Sequence, residues 1–124
     1  MTNQAPEYQF FNPQVLKDIT DNDEEIMLEI INEFISSSAS YISDLENALA
    51  AADLKKVNFV AHKLKGALKF LGASQLADTA QEIEYKATQD ASPNNINIFL
   101  DDLKKNIVIV SKEVIDYRNN NLSI

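Results

Sequence analysis

The sequence predicts an all-α fold: an antiparallel up-down four-helix bundle with a short additional N-terminal helix. Three features predict it. Apolar residues recur at helical spacing almost throughout, and no segment alternates in the manner of a strand. Only two glycines and three prolines interrupt 124 residues, and all but Gly66 lie at or beyond the ends of the apolar stripes. The breaks between stripes are a few residues long, which makes successive helices pack side by side. A long coiled-coil dimer would instead need its stripe to continue through Asp53, Gly72 and Pro93.

Residues 1–12 are expected to form an N-terminal tail, with the bundle at 13–118 and a frayed C-terminal tail at 119–124. Asn12-Pro13 is a cap followed by proline at the first helical position, and Val15, Leu16 and Ile19 then share a face. Asn22, with Glu25 three residues on, has the spacing of a capping box. From there a stripe of Met27, Ile30, Ile31, Phe34, Ser38, Ile42, Leu45, Ala48, Leu49 and Ala52 predicts a helix over about 22–52, with a bend expected at Ser36-Ser37-Ser38. Asp53 caps the next helix, 53–71, which buries Leu54, Val57, Val60, Ala61, Leu64, Leu68 and Leu71 and stops at Gly72. Ser74 is the expected cap of a fourth helix carrying Leu76, Ala80, Ile83 and Ala87 inward. Ser92-Pro93 opens the last, whose stripe is Ile96, Phe99, Leu100, Leu103, Ile107, Val110, Val114 and Tyr117.

Composition narrows the chemistry. With no cysteine and one histidine, the chain has no disulfide, no thiolate zinc site, no cysteine nucleophile and no metal site built from two imidazoles. A net charge of −8 opposes general affinity for nucleic acid or anionic lipid. No apolar run approaches the roughly 18–20 residues of a membrane span, and Met1 to Pro6 lack a signal-peptide layout, so a cytoplasmic location without membrane insertion is expected.

One helix face stands out. His62 falls off the Val60, Leu64, Leu68 stripe and shares a face with Asn58, Lys65, Gly66 and Lys69, which predicts a solvent-facing imidazole. Window 53–69 holds five lysines against Asp53 alone, a balance of +4 that leaves −12 for the rest of the chain. Such a positive island on an acidic protein suits an anionic ligand received at one place. Gly66 costs about 0.5–1 kcal/mol relative to alanine inside a helix, and its missing side chain would let a macromolecule approach the imidazole. A neutral imidazole nitrogen can attack phosphorus, and Lys65, one turn away, can neutralise an incoming phosphoryl group. No GxxxxGK[ST] loop provides for nucleotide binding, so the site would accept a phosphoryl group without drawing it from ATP.

His62-Lys63-Leu64-Lys65-Gly66, followed by Leu71-Gly72-Ala73, resembles the HxLKG...lGa signature of histidine-containing phosphotransfer (HPt) domains. Phe34, Leu45, Ala48, Asp53, Leu76 and the Ile83-Glu84 pair sit at matching spacings, so the resemblance covers about residues 22–116. It implies a bundle whose exposed histidine exchanges a phosphoryl group with the aspartate of receiver domains, in response regulators or a hybrid histidine kinase. By position His62 is the phosphorylated residue, Lys65 steadies the phosphoryl group, and Gly66, with Lys63 and Lys69, belongs to the docking surface. Glu84 and Phe34 take supporting places. The resemblance also implies a monomer that binds no cofactor, the divalent metal, normally magnesium, coming with the receiver. The chain departs from the family pattern at Ala67, where many relatives have serine, and in the bulk of Leu68, Lys69 and Phe70. At Glu84 some relatives have glutamine.

Two other function classes compete. The phosphoacceptor and dimerisation region of a sensor histidine kinase normally reads His-Glu followed by a Thr/Asn-Pro step, whereas here Lys63 and Gly66-Ala67 stand in those places. A helical adaptor that binds receivers without carrying phosphate would have no use for His62 and Lys65. The sequence suits a free-standing module, and a piece excised from a hybrid kinase stays open.

Overall fold

The computed structural model describes residues 7–89 and 92–122. Five helices follow one another: α1 Pro13–Ile19, α2 Glu24–Ala50, α3 Leu54–Phe70, α4 Ser74–Thr88 and α5 Pro93–Asn121. Helices α2 to α5 form the bundle, each packed on two neighbours in the closed order α2, α3, α4, α5, while α1 lies against α3. The stripes meet in one core, where Leu16, Ile31, Leu45, Val57, Leu64, Leu68, Ile83, Ile96 and Leu103 are fully buried.

Three residues at helix junctions, Asn22, Ala52 and Ser74, take other places than the sequence reading gave them. Asn22 does not cap α2: Asp21 and Asn22 both take left-handed backbone (φ 53° and 64°), and Asp23 is the cap, its Oδ1 accepting from the N–H groups of Glu25 and Ile26. Asp and Asn tolerate that conformation better than most residues. Ser74 is the first residue of α4 rather than its cap, because Ala73, whose N–H already closes α3 on the Leu68 carbonyl, occupies the cap position. Helix α2 stops at Ala50 and leaves Ala52 exposed in the turn, at φ 54°. The serine run does not interrupt it: α2 continues through Ser36–Ser38, and the Ser36 hydroxyl donates to the Glu33 carbonyl. Ile30, Leu54 and Phe99, expected inside, are half-buried.

Asn12 and Asp53 do cap α1 and α3 with their side chains. Gly72 ends α3 at φ 63°, the region favourable to glycine. A Cβ there would lie 2.8 Å from the Cβ atoms of Asn12 and Val15, so glycine is also what lets α1 sit on this turn.

Both expected tails join the fold where they are described. The backbone N–H groups of Gln9, Phe10 and Phe11 all donate to the Glu113 carboxylate on α5, and the Tyr8 hydroxyl donates to Asp116. Phe10 and Phe11 are buried, and the Phe11 ring meets Tyr117 edge-on. At the other end α5 runs past 118 to Asn121 and Leu122 is buried. Residues 1–6 and 123–124 of those segments lie outside the described residues.

Candidate functional site

Helix α3 buries Val60, Ala61 and Leu64 and thereby turns His62 outward, its side chain 65% exposed. Across the α3/α4 pair, Ile83 is fully buried, which brings the next residue, Glu84, to the edge of α4 beside α3. One Glu84 oxygen, Oε2, lies 2.7 Å from His62 Nδ1, and the other, Oε1, lies 2.7 Å from Lys65 Nζ. Asn58, one turn before the histidine, donates its Nδ2 to the Glu84 backbone carbonyl at 2.9 Å and ties the two helices at that level.

Burial alone would push the Glu84 carboxyl up, but the hydrogen bonds and charges of Lys65 and His62 outweigh it and hold the group below the ordinary carboxylate range. An ionised carboxylate can only accept, so the network assigns a proton to Nδ1, and in the neutral ring the lone pair is then on Nε2. A surface histidine is thus oriented and given one tautomer by a charge partner on the neighbouring helix. In the neutral ring so arranged, Nε2 is the nucleophilic atom.

The other sequence-predicted residues are arranged around this dyad. Lys65 is on the same face but not free: it is largely buried against Glu84, so its charge is already matched before any ligand arrives. Gly66 is open, a Cβ meeting nothing within 4 Å among the described residues, so no internal packing requires glycine there. Lys63 Nζ lies 5.2 Å above the Phe59 ring centroid. Lys69 is exposed in the last turn of α3, where a cation complements the helix dipole. Phe34 is buried on α2 and contacts no atom of the dyad in the hydrogen-bond network. It lines a groove of about 900 Å³ between α2 and α3, with Glu29, Ile30, Lys63, Gly66 and Phe70 around it.

Sequence reasoning understated Glu84, placed Asn58 on the His62 face without its partner, noted Phe70 only for its bulk and missed Phe59. Helices α3 and α4 are joined by a tight turn at Gly72, so residues about equally far on either side of it come together, as 58 and 84 do. That register was the available signal. Phe59 and Phe70 are 62% and 46% exposed and flank His62 along α3 on the Gly66 side, a pattern concealed because aromatics on a helix usually read as core. Among the described residues, no three His, Cys, Asp or Glu side chains are grouped to hold a metal ion, and no helix is long and apolar enough to cross a membrane.

The family model described as Hpt domain matches residues 29–108. The phosphorelay intermediate protein rdeA of Dictyostelium discoideum is 26% identical over 110 residues, 89% of this chain and 43% of that protein. The virulence sensor protein BvgS of Bordetella bronchiseptica is 30% identical over 84 residues, 68% of this chain and 7% of that one. The chain therefore spans less than half the length of these curated relatives. Among solved structures, the histidine-containing phosphotransfer protein B (HptB) of Pseudomonas aeruginosa PAO1 superposes with a TM-score of 0.82 at 21% identity, covering 91% of this chain and 97% of that one. That likeness establishes the helical bundle.

Proposed function

Since the chain belongs to the Hpt domain family, we propose that it is a phosphorelay intermediate carrying a phosphoryl group on His62 Nε2, exchanged with the aspartate of receiver domains. The observation that carries this reading is the dyad: His62 Nδ1 is held at 2.7 Å by Glu84 while the ring remains exposed. Attack by the Nε2 lone pair on the phosphorus of an aspartyl phosphate forms the N–P bond as the P–O bond breaks, the electron pair leaving with the aspartate. The proton on Nδ1 stays where it is, so the step needs no general base on this chain.

Gly66 supports close approach, because nothing in the chain fills the space beside it. A receiver docked there would meet Phe59 and Phe70 as an apolar footing, with Lys63 and Lys69 at the rim. Lys65, one turn from the histidine, would steady the phosphoryl group once the new anion competes with Glu84 for its ammonium. The divalent metal would come with the receiver, and the chain would act in the cytoplasm as a stoichiometric carrier, monomeric in solution, rather than as a kinase.

The test is incubation with a phosphorylated receiver domain and magnesium, followed by detection of an acid-labile label on the chain. Wild type should be labelled and His62→Gln should not; equal labelling of the two would overturn the assignment. Sedimentation separates the remaining alternative, since the phosphoacceptor region of a sensor kinase must dimerise.

A further inference from the structure

Glu84 supplies more than a hydrogen-bond acceptor. To hold the Nδ1–H at 2.7 Å, a neutral amide oxygen would serve as well; what a carboxylate adds is charge. Before transfer that charge already has a cationic partner in Lys65, 2.7 Å from the other oxygen, and in the form of the ring that can attack, with its one proton on Nδ1, the imidazole carries no charge of its own. Once Nε2 carries phosphorus and Nδ1 keeps its proton, the ring is an imidazolium with one positive charge. No proton enters or leaves in this step, so the new cation is born 2.7 Å from an anion already in place. The phosphoryl oxygens meanwhile offer Lys65 a second anion. Phosphoryl, ring, Glu84 and Lys65 then alternate in sign, and every neighbouring pair attracts.

We propose that the negative charge of Glu84 sets the position of the phosphotransfer equilibrium, biasing the phosphoryl group toward His62 and away from the receiver aspartate. The inference rests on the reading of His62 as the phosphoryl acceptor. Glu84 is a positioning residue: it touches the ring that reacts, holds it in one tautomer, and favours the charged product over the neutral reactant. Asn58, bonded to the Glu84 carbonyl, keeps the carboxylate at that level of α3.

The experiment compares the full-length chain with Glu84→Gln and Glu84→Ala. Each is mixed with one receiver domain phosphorylated by acetyl phosphate in magnesium buffer, desalted, and followed until the ratio of acid-labile phosphohistidine to aspartyl phosphate is constant. Glutamine keeps an acceptor for Nδ1–H and removes only the charge. Because a charge-assisted hydrogen bond is roughly twice as strong as a neutral one, the ratio should fall by about tenfold in Glu84→Gln. Glu84→Ala should fall at least as far and also slow transfer in both directions. A ratio in Glu84→Gln equal to wild type would overturn the proposal, because a purely structural tether is preserved in that variant. Absence of label on the wild type would instead overturn the reading of His62 itself. Imidazole nitrogen chemical shifts test the premise: the charge argument requires the Nδ1–H tautomer in wild type, and an Nε2–H tautomer overturns it.

Discussion

The two glycines should respond in opposite ways to the same substitution. At Gly66 the backbone is helical, and an added methyl meets nothing within 4 Å, so alanine recovers only helix propensity. That is worth about 0.5–1 kcal/mol, or a rise of about 2–5 °C in the thermal midpoint for a chain of this size. At Gly72, φ is 63° and the new Cβ would lie 2.8 Å from the Cβ atoms of Val15 in α1 and of its cap, Asn12. Left-handed backbone costs about 1–2 kcal/mol outside glycine, and shifting Asn12 and Val15 adds to that, for a loss of about 2–3 kcal/mol. Calorimetry or urea unfolding reads both. Phosphotransfer should run the other way at Gly66: alanine slows it modestly and Gly66→Gln strongly, with helicity unchanged by circular dichroism. A Gly66→Ala protein less stable than wild type would refute the claim that its position is open. Normal transfer by Gly66→Gln would refute the claim that the opening serves a partner.

Other sites give sharper single readouts. Glu113→Ala removes the acceptor for three backbone N–H groups and should cost about 1–3 kcal/mol in urea unfolding, with no change in transfer; an unchanged midpoint would mean that segment 8–12 is not part of the cooperative unit. Phe59→Ala and Phe70→Ala should leave stability within about 0.5 kcal/mol, as exposed positions do, and weaken receiver binding by calorimetric titration; unaltered affinity would remove these rings from the docking surface. Lys65→Ala should transfer less readily, and unchanged kinetics would take Lys65 out of the site. The Glu84 carboxyl is held below its ordinary value, so its contribution to stability is complete above the ordinary carboxylate range and is lost as pH falls through the depressed value. The stability gap between wild type and Glu84→Gln should therefore shrink on acidification from neutral pH, and a gap that widens would contradict the ion-paired state.

Periodicity made the bundle legible because each helix buries one stripe, and a stripe is a property of local sequence. The outward position of His62 followed from the same geometry, since Ala61 and Leu64 on either side have to go in. What local pattern does not encode is register between helices. Glu84 was visible as a residue at a matching spacing, but that one carboxylate spans both His62 and Lys65 depends on how α4 returns along α3 after Gly72. The positive island was overstated for the same reason: its best-placed cation is paired across the helix interface. Residues 8–11 read as a tail because four residues carry no period. Their order comes from α5, about a hundred positions away, where Glu113 collects the N–H groups of residues 9–11 and Asp116 accepts from the Tyr8 hydroxyl. The cap at Asp23 was hidden by its neighbour, since Asn22 and Asp23 are both good caps and only the left-handed turn decides between them.

In the proposed reaction His62 accepts a phosphoryl group at Nε2 while Glu84 holds the proton on Nδ1. Nitrogen-labelled protein, phosphorylated through a receiver domain and observed by NMR, tests it at the level of the atom. Phosphorus coupling is expected at Nε2 of His62, with a proton retained on Nδ1. Phosphorus coupled to Nδ1, or a labelled protein in which the His62 ring is unmodified, would contradict it.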